Sequence, residues 1–408
     1  MPLDPKEGLF EFRGFKGLRN NVDIRDFDPG DLEIALNMDV DDAEDLDRRK
    51  GFSAVVVADV DRDLFAVGSI CLGVGSNTLK QILPNLSTVS LLSGLTPNRP
   101  LSYAAVADRV YWSNGVEKGV FQNGVTRSWG IVPPTVGAVA ITGGALRAGR
   151  YQISMTYLRQ DGQESGAALA AVVELTAIGG FTVALPVSTD TAVSQKAVYL
   201  STLNGEILYR YAVLSNGEQS FSIREERKGA LALATQFLSP PPAGEHIAYA
   251  NGRMLVAVGN RLYPSEPYAP EWFDLRKGVP FIDRITLVAP LEDGTWLGTD
   301  TQIVWLPNAE PEKWEFKPRA NYGIIPGTAK IDTAEAIGEG TSKLPAVFFA
   351  TASGLCAGLA GGQLVNFTDG RFAYPIQPIG AGVVRSHLGG IQYLVTLKGP
   401  ETAGNVFV

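Results

Sequence analysis

One recurring pattern of turns limits what this chain can become. Apolar runs of roughly four to eight residues alternate with Gly, Asn and Asp, and the same two-strand unit returns along the sequence. Asp108-Arg109-Val110-Tyr111-Trp112-Ser113-Asn114-Gly115 leads to Gly119-Val120-Phe121. Asn251-Gly252-Arg253-Met254-Leu255-Val256 leads to Arg261-Leu262-Tyr263, and Asp293-Gly294-Thr295-Trp296-Leu297 leads to Gln302-Ile303-Val304-Trp305. Ser353-Gly354-Leu355-Cys356-Ala357-Gly358 leads to Gln363-Leu364-Val365-Asn366-Phe367, and a weaker copy runs from Leu64 through Val74 to Ile82. A single hairpin cannot bury its apolar face, so hairpins of one form must stack on one another. Radial stacking covers both faces of each unit and leaves short edges. The pattern predicts an all-β chain built as a β-propeller of five or six blades. The 45 glycines and 25 prolines fit this reading because they fall between apolar runs rather than in tracts.

The repeat stops between about Pro133 and Pro242. Tyr151 to Tyr157, Ala171 to Leu175, Phe181 to Leu185, Lys196 to Ser201 and Leu208 to Ala212 read instead as strands at roughly ten-residue spacing. They predict a fibronectin- or immunoglobulin-like β-sandwich over 137–240. It interrupts a propeller whose parts are 1–136 and 241–408, and its two ends lie close together. A propeller interrupted in this way closes by pairing its chain ends. The strand Gln392 to Leu397 is the expected partner of an N-terminal strand near Phe52 to Ala58. The best helix candidate is Gly30 to Asn37, after the turn Asp28-Pro29-Gly30-Asp31.

The search for chemistry finds little. There is no G-x-S-x-G elbow, Walker loop or H-E-x-x-H helix in the sequence. Gly73-Val74-Gly75 and Gly380-Ala381-Gly382 lack the third glycine of a dinucleotide fingerprint and read as turns. His246 and His387 are the two imidazoles, each without a nearby His or Cys, and a structural role is expected for both. Cys71 and Cys356 are the two thiols; they read as small buried hydrophobes, not as a disulfide or metal pair. Glu292-Asp293-Gly294-Thr295-Trp296 resembles the end of a sialidase-type Asp-box, but Glu292 takes the place of its Asp, so it reads as a hairpin turn. Asn85-Leu86-Ser87 and Asn366-Phe367-Thr368 match glycosylation acceptors, which carry weight only in a secreted chain. The expectation is therefore no catalytic, cofactor or metal residue.

Charge is the remaining signal. The net charge is −8, against the clustered Lys and Arg expected of a protein that grips phosphate. Between Asp23 and Asp47 there are eleven acidic residues and one basic residue, Arg25, followed by Arg48-Arg49-Lys50. Asp39-Val40-Asp41-Asp42-Ala43-Glu44 lacks the sixth-position glycine of a calcium loop, so the run reads as a solvated acidic surface or an inter-subunit contact. The opening Met1-Pro2-Leu3-Asp4-Pro5 has no signal-peptide character, and no apolar run is long enough for a bilayer. The chain is expected to be made in the cytoplasm.

Three N-terminal blocks, Phe15-Lys16-Gly17-Leu18-Arg19-Asn20-Asn21-Val22-Asp23, Leu32 to Asn37 and Asp47-Arg48-Arg49-Lys50-Gly51-Phe52, resemble the opening of tail nozzle proteins of tailed bacteriophages. That family is also called tail tubular protein B or packaged-DNA stabilisation protein. The likeness continues in Arg109 to Gly115 and Thr126-Arg127-Ser128-Trp129-Gly130. It returns in Gly149-Arg150-Tyr151, Gly162-Gln163-Glu164-Ser165-Gly166, Gly252-Arg253-Met254 and Leu262-Tyr263-Pro264-Ser265-Glu266-Pro267, covering about half the chain. The resemblance implies a virion tail protein that forms a six-fold ring below the portal and adaptor. Such a ring surrounds the DNA exit channel, retains packaged DNA and conducts it during ejection without binding it tightly. Two other classes stay open: a receptor- or glycan-binding adhesin, marked by exposed aromatics on the sandwich loops, and a propeller glycoside hydrolase, marked by clustered carboxylates in an axial pocket.

Overall fold

The structure, a computed structural model, describes residues 14–35, 38–40, 44–48, 59–227, 231–308, 310–333, 344–368, 371, 378–387 and 390–398. Among these the chain is all-β: strands in many small sheets, with short 3-10 turns and no α-helix. It divides into two compact units, residues 59–281 and residues 1–58 with 282–408. The 137–240 segment thus lies inside the first of these.

In the unit 59–281, two four-stranded antiparallel sheets come first in the chain. One runs Arg62–Val67, Ile70–Gly75, Thr78–Ile82, Thr88–Ser93; the other runs Ser102–Val106, Arg109–Ser113, Lys118–Gln122, Val125–Ser128. A five-stranded sheet follows much later, from His246–Ala250 to Val279–Pro280. The strand Arg109–Ser113 explains how these stack. Val110 and Trp112 point with Phe121 into a cluster shared with Leu72, Val74 and Leu79 of the preceding sheet. Tyr111 points the other way with Val120, into a cluster shared with Ile247, Met254, Val256 and Phe273. Alternate side chains serve opposite faces of a strand, so a strand covered on both faces reads as a nearly continuous apolar run. The sheets before and after the long middle segment therefore pack directly on each other.

That middle segment is made of two further antiparallel sheets. One orders Val139–Leu146, Gly179–Ala184 and Ser220–Ile223; the other orders Ala171–Leu175, Gly149–Arg159, Val193–Ser201 and Leu208–Ser215. Residues of both, among them Leu146, Tyr151, Ile153, Phe181, Val183 and Val198, enclose one apolar cluster. The two ends of the segment meet. Gly130, with φ +78°, lies so close to Pro240 that an added Cβ would sit 2.6 Å from the Pro240 Cβ, and glycine alone suits both the conformation and the gap.

In the other unit the same stacking recurs. The sheet Ile285–Leu291, Gly294–Thr299, Ile303–Pro307, Lys317–Ala320 shares a cluster with the sheet Lys330–Thr333, Pro345–Thr351, Gly354–Leu359, Leu364–Asn366. Val347 and Phe349 face that cluster, whereas Ala346 and Phe348 face Val384 and Tyr393 of the hairpin Ile379–His387/Gly390–Lys398.

Two expectations change here. The helix over Gly30 to Asn37 does not form in the described part of that stretch. Asp31–Leu32 is instead a short strand paired in parallel with Gly17–Leu18. Its few apolar residues make too short a stripe to stabilise two helical turns, and the Asp31 carboxylate has arginine partners that hold it extended. Gly390–Lys398 pairs with Ile379–His387; its expected partner, Phe52 to Ala58, lies outside the described residues.

Candidate functional site

The acidic run is not simply a solvated face. Asp31 stands between two arginines: Arg19 Nη1 reaches its Oδ2 at 2.8 Å and Arg371 Nη2 its Oδ1 at 2.7 Å. Arg371 Nη2 also donates to the Lys16 carbonyl, while the Asn20 N–H donates to the Arg371 carbonyl at 2.9 Å. Asp28 pairs with Arg19, Asp23 with Arg25 in the same short turn, and Asp39 with Arg385 at 3.6 Å. At least four of the eleven acids thereby have arginine partners among the described residues, two of them arginines more than 300 residues away, which local sequence could not reveal. Asp41 and Asp42 lie outside the described residues; Glu44 and Asp47 are exposed.

The Asp31 side chain is only 1% exposed, with an arginine head on each carboxylate oxygen. Burial pushes its carboxyl up, but hydrogen bonds from Arg19 and the Asp28 N–H, with the Arg371 and Arg19 charges, bring it below the ordinary 3.8. A depressed folded value gives stability that is complete above the unfolded value and is lost as pH falls through the folded one. The melting temperature of the wild type should therefore fall more steeply between about pH 5 and 3 than that of Asp31→Asn. Parallel acid profiles would remove this carboxylate from the acid response.

A second polar cluster lies in the other unit, where the turn 159–166 meets the strand Val125–Ser128. The Arg159 side chain is 1% exposed. Its Nη2 donates to Asp190 Oδ2 at 2.6 Å, to Ser128 Oγ at 2.6 Å and to the Gly130 carbonyl at 3.2 Å. Its Nη1 donates to Gln163 Oε1, which also accepts from Arg127 Nη1. Arg127 pairs with Asp161 at 3.1 Å, Arg109 pairs with Glu271 at 3.1 Å, and the Tyr111 hydroxyl donates to the same Glu271 oxygen. Burial and the Glu271 charge push the Tyr111 phenol up, away from any role as a base. Burial also raises the Asp190 carboxyl, but the Arg159 hydrogen bond and charge outweigh it and leave a weakly basic carboxylate. Three guanidinium groups face three carboxylates, each charge compensated, an arrangement that fixes positions.

The sequence candidates fall apart in space or into turns. His246 stands opposite Ala257 within a sheet, and His387 ends the strand opposite Gly390. Both cysteines lie within strands and neither forms a disulfide; Cys356 is buried beside Thr351, whereas Cys71 is half-buried rather than buried as expected. Glu292-Asp293 is the two-residue turn between Ile285–Leu291 and Gly294–Thr299, and Asp293 accepts from the Gly361 N–H. Gly73 and Gly75, like Gly380 and Gly382, do not form the expected turns but lie within strands, where close approaches such as Gly75 against the Asp59 carbonyl leave no room for a side chain. Asn85 Oδ1 accepts from the Ser87 N–H, closing an Asx turn. No group of three or more His, Cys, Asp or Glu side chains converges on a common point among the described residues. A shallow groove beside Gly137, Leu185, Pro186 and Gln219 carries no carboxylate, imidazole or thiol.

No family model matches this chain, and no curated protein does. Solved structures overlap it loosely. The extracellular domain of the one-component system BT4673 from B. thetaiotaomicron superposes with a TM-score of 0.32 at 13% identity, over 84% of this chain and 42% of that one. BBS1N in complex with ARL6DN gives 0.34 at 11% identity, over 85% and 94%. AztD from Citrobacter koseri gives 0.26 at 10% identity, over 85% and 91%. The chain thus spans somewhat under half the length of the first. None of the three is described as a phage tail protein, and overlaps this loose assign neither family nor activity.

Proposed function

We propose that this chain is a structural subunit of a bacteriophage tail. It is a ring-forming nozzle or connector around the DNA exit channel, with its small sheets arranged as a propeller of about six blades. The observation that carries the reading is positional. The motif blocks that resemble the nozzle family occur in order along the chain, and the two-sheet segment falls between the 102–128 and 246–280 sheets, where that resemblance puts it. Among the described residues, five sheets of four or five strands outside the two-sheet segment, with a terminal hairpin, support a count of five or six. A net charge of −8 suits a conduit wall, since tight phosphate contacts would hold back a passing duplex. Portal, adaptor and other tail proteins are the proposed neighbours. The adhesin alternative gains nothing from the two-sheet segment: Phe237 is its one exposed aromatic among the described residues, and Arg276 sits 4.5 Å over that ring.

The test joins assembly and DNA. The purified chain should sediment as a ring, or join one when portal and adaptor are supplied, and should leave duplex DNA unshifted in a gel at about 150 mM salt. Particles lacking it should fill with DNA and then lose it. A tight, saturable DNA complex, or hydrolysis of a host polysaccharide, would replace this reading.

A further inference from the structure

Sheet edges expose unpaired N–H and C=O groups, and proteins guard them with charge, proline, brevity or a covering segment. Most edges of this chain follow that rule. Lys317–Ala320 reads Lys-Pro-Arg-Ala, Leu364–Asn366 has three residues, and Ala171–Leu175 carries Glu174. The strand Leu208–Ser215 is covered through Arg210 and Leu208, which bond the backbone of Leu231 and Leu233. Val125–Ser128 is overlaid by the Arg127–Asp161 pair and by Asp190 on Ser128.

Among the described edges of six residues or more, two break the rule. Thr88–Ser93 reads Thr-Val-Ser-Leu-Leu-Ser, and no Asp, Glu, Lys or Arg occurs from Gln81 to Asn98. Val89 is 42% exposed and Leu92 37%. Val139–Leu146 reads Val-Ala-Ile-Thr-Gly-Gly-Ala-Leu, likewise uncharged and without proline, and Ile141 is 62% exposed. Each ends its sheet. The outer backbone of Thr88–Ser93, and that of Val139–Leu146 before its bulge, bonds to no described residue.

We infer that these two edges pair with each other across neighbouring copies of this chain, Thr88–Ser93 of one against the start of Val139–Leu146 of the next. The inference rests on the ring reading and names its contact. Pairing each edge with its own counterpart would give two-fold contacts, which do not build a ring of more than two copies about one axis. Such a ring needs one contact between unlike patches whose rotation closes. The chemistry suits such an addition: backbone groups supply the hydrogen bonds, no like charges oppose one another, and Val89, Leu92 and Ile141 lose water together.

Mixing tests this. One variant carries Val89→Lys with Leu92→Lys, the other Ala140→Lys with Ile141→Lys, each in the full chain. Sedimentation should show a ring for the wild type and a monomer for each variant alone. Mixed together, the variants should give a one-to-one dimer, because each keeps the edge that the other has lost. Circular dichroism and melting check that both fold; Leu92→Lys and Ile141→Lys alone replace a variant that does not. The inference fails, with the ring reading intact, if either folded variant keeps the wild-type ring, if one variant dimerises alone, or if the mixture stays monomeric. A wild type that stays monomeric even with portal and adaptor present sinks both.

Discussion

Replacing Trp296 by alanine should lower unfolding stability by about 3–5 kcal/mol, read as a fall in the denaturant midpoint at unchanged slope. The indole is fully buried between the 285–320 and 330–366 sheets, and its Nε1 donates to the Leu359 carbonyl at 3.1 Å. It lies tilted on Trp305, ring centroids 5.1 Å apart. Its face rests against Gly358, where an added Cβ would come within 2.5 Å of the ring. The contact gives a second arm. Gly358→Ala should cost about 1–3 kcal/mol by overpacking, yet cost far less when Trp296 is already alanine. Additive losses would mean that the glycine is not there to admit the indole.

Arg159→Ala should cost about 3 kcal/mol, at the low end for a broken buried pair because Asp190 keeps part of its surface in water. The loss strands Asp190, Ser128 and Gln163 together. Arg159→Lys should recover little, because a single ammonium cannot reach Asp190, Ser128, Gly130 and Gln163 from the one plane that the guanidinium spans. Thermal melting of the three proteins decides it; full recovery by lysine would reduce the cluster to a point charge.

Neither site was legible in the sequence, for different reasons. The hairpin copies gave the second and third strands of most sheets, because Gly, Asn and Asp turns and apolar alternation are local signals. The outer strands escaped because they are short, half polar and uneven: Val125–Ser128 and Lys317–Ala320 carry no periodic apolar face. Tyr111 and Trp112 were visible as a motif, but that they serve opposite clusters depends on which sheets lie on either side. Charge misled most. The acid run reads as a solvated surface or an inter-subunit contact because its partners Arg371 and Arg385 are remote, and nothing in the spacing marks Lys196, which lies buried and donates to the Pro186 and Glu218 carbonyls at 2.7 Å each. Ion pairing across hundreds of residues leaves no trace in spacing.

The touching of Gly130 and Pro240 bears on how such a chain can change over time. The seam between the 102–128 and 246–280 sheets holds these two points together whatever sequence runs between them. Lengthening a loop whose ends are already fixed raises its closure cost only logarithmically, about 0.6 kcal/mol per doubling. The interval from Ile131 to Ser239 is thus a socket in which one module can be exchanged for another without reopening the seam. What a newcomer would have to meet includes the arginine and carboxylate contacts at Arg127, Ser128 and Arg109 that anchor the present occupant by its 159–166 turn and by Asp190, and the Trp272 indole that donates to the Glu164 carbonyl.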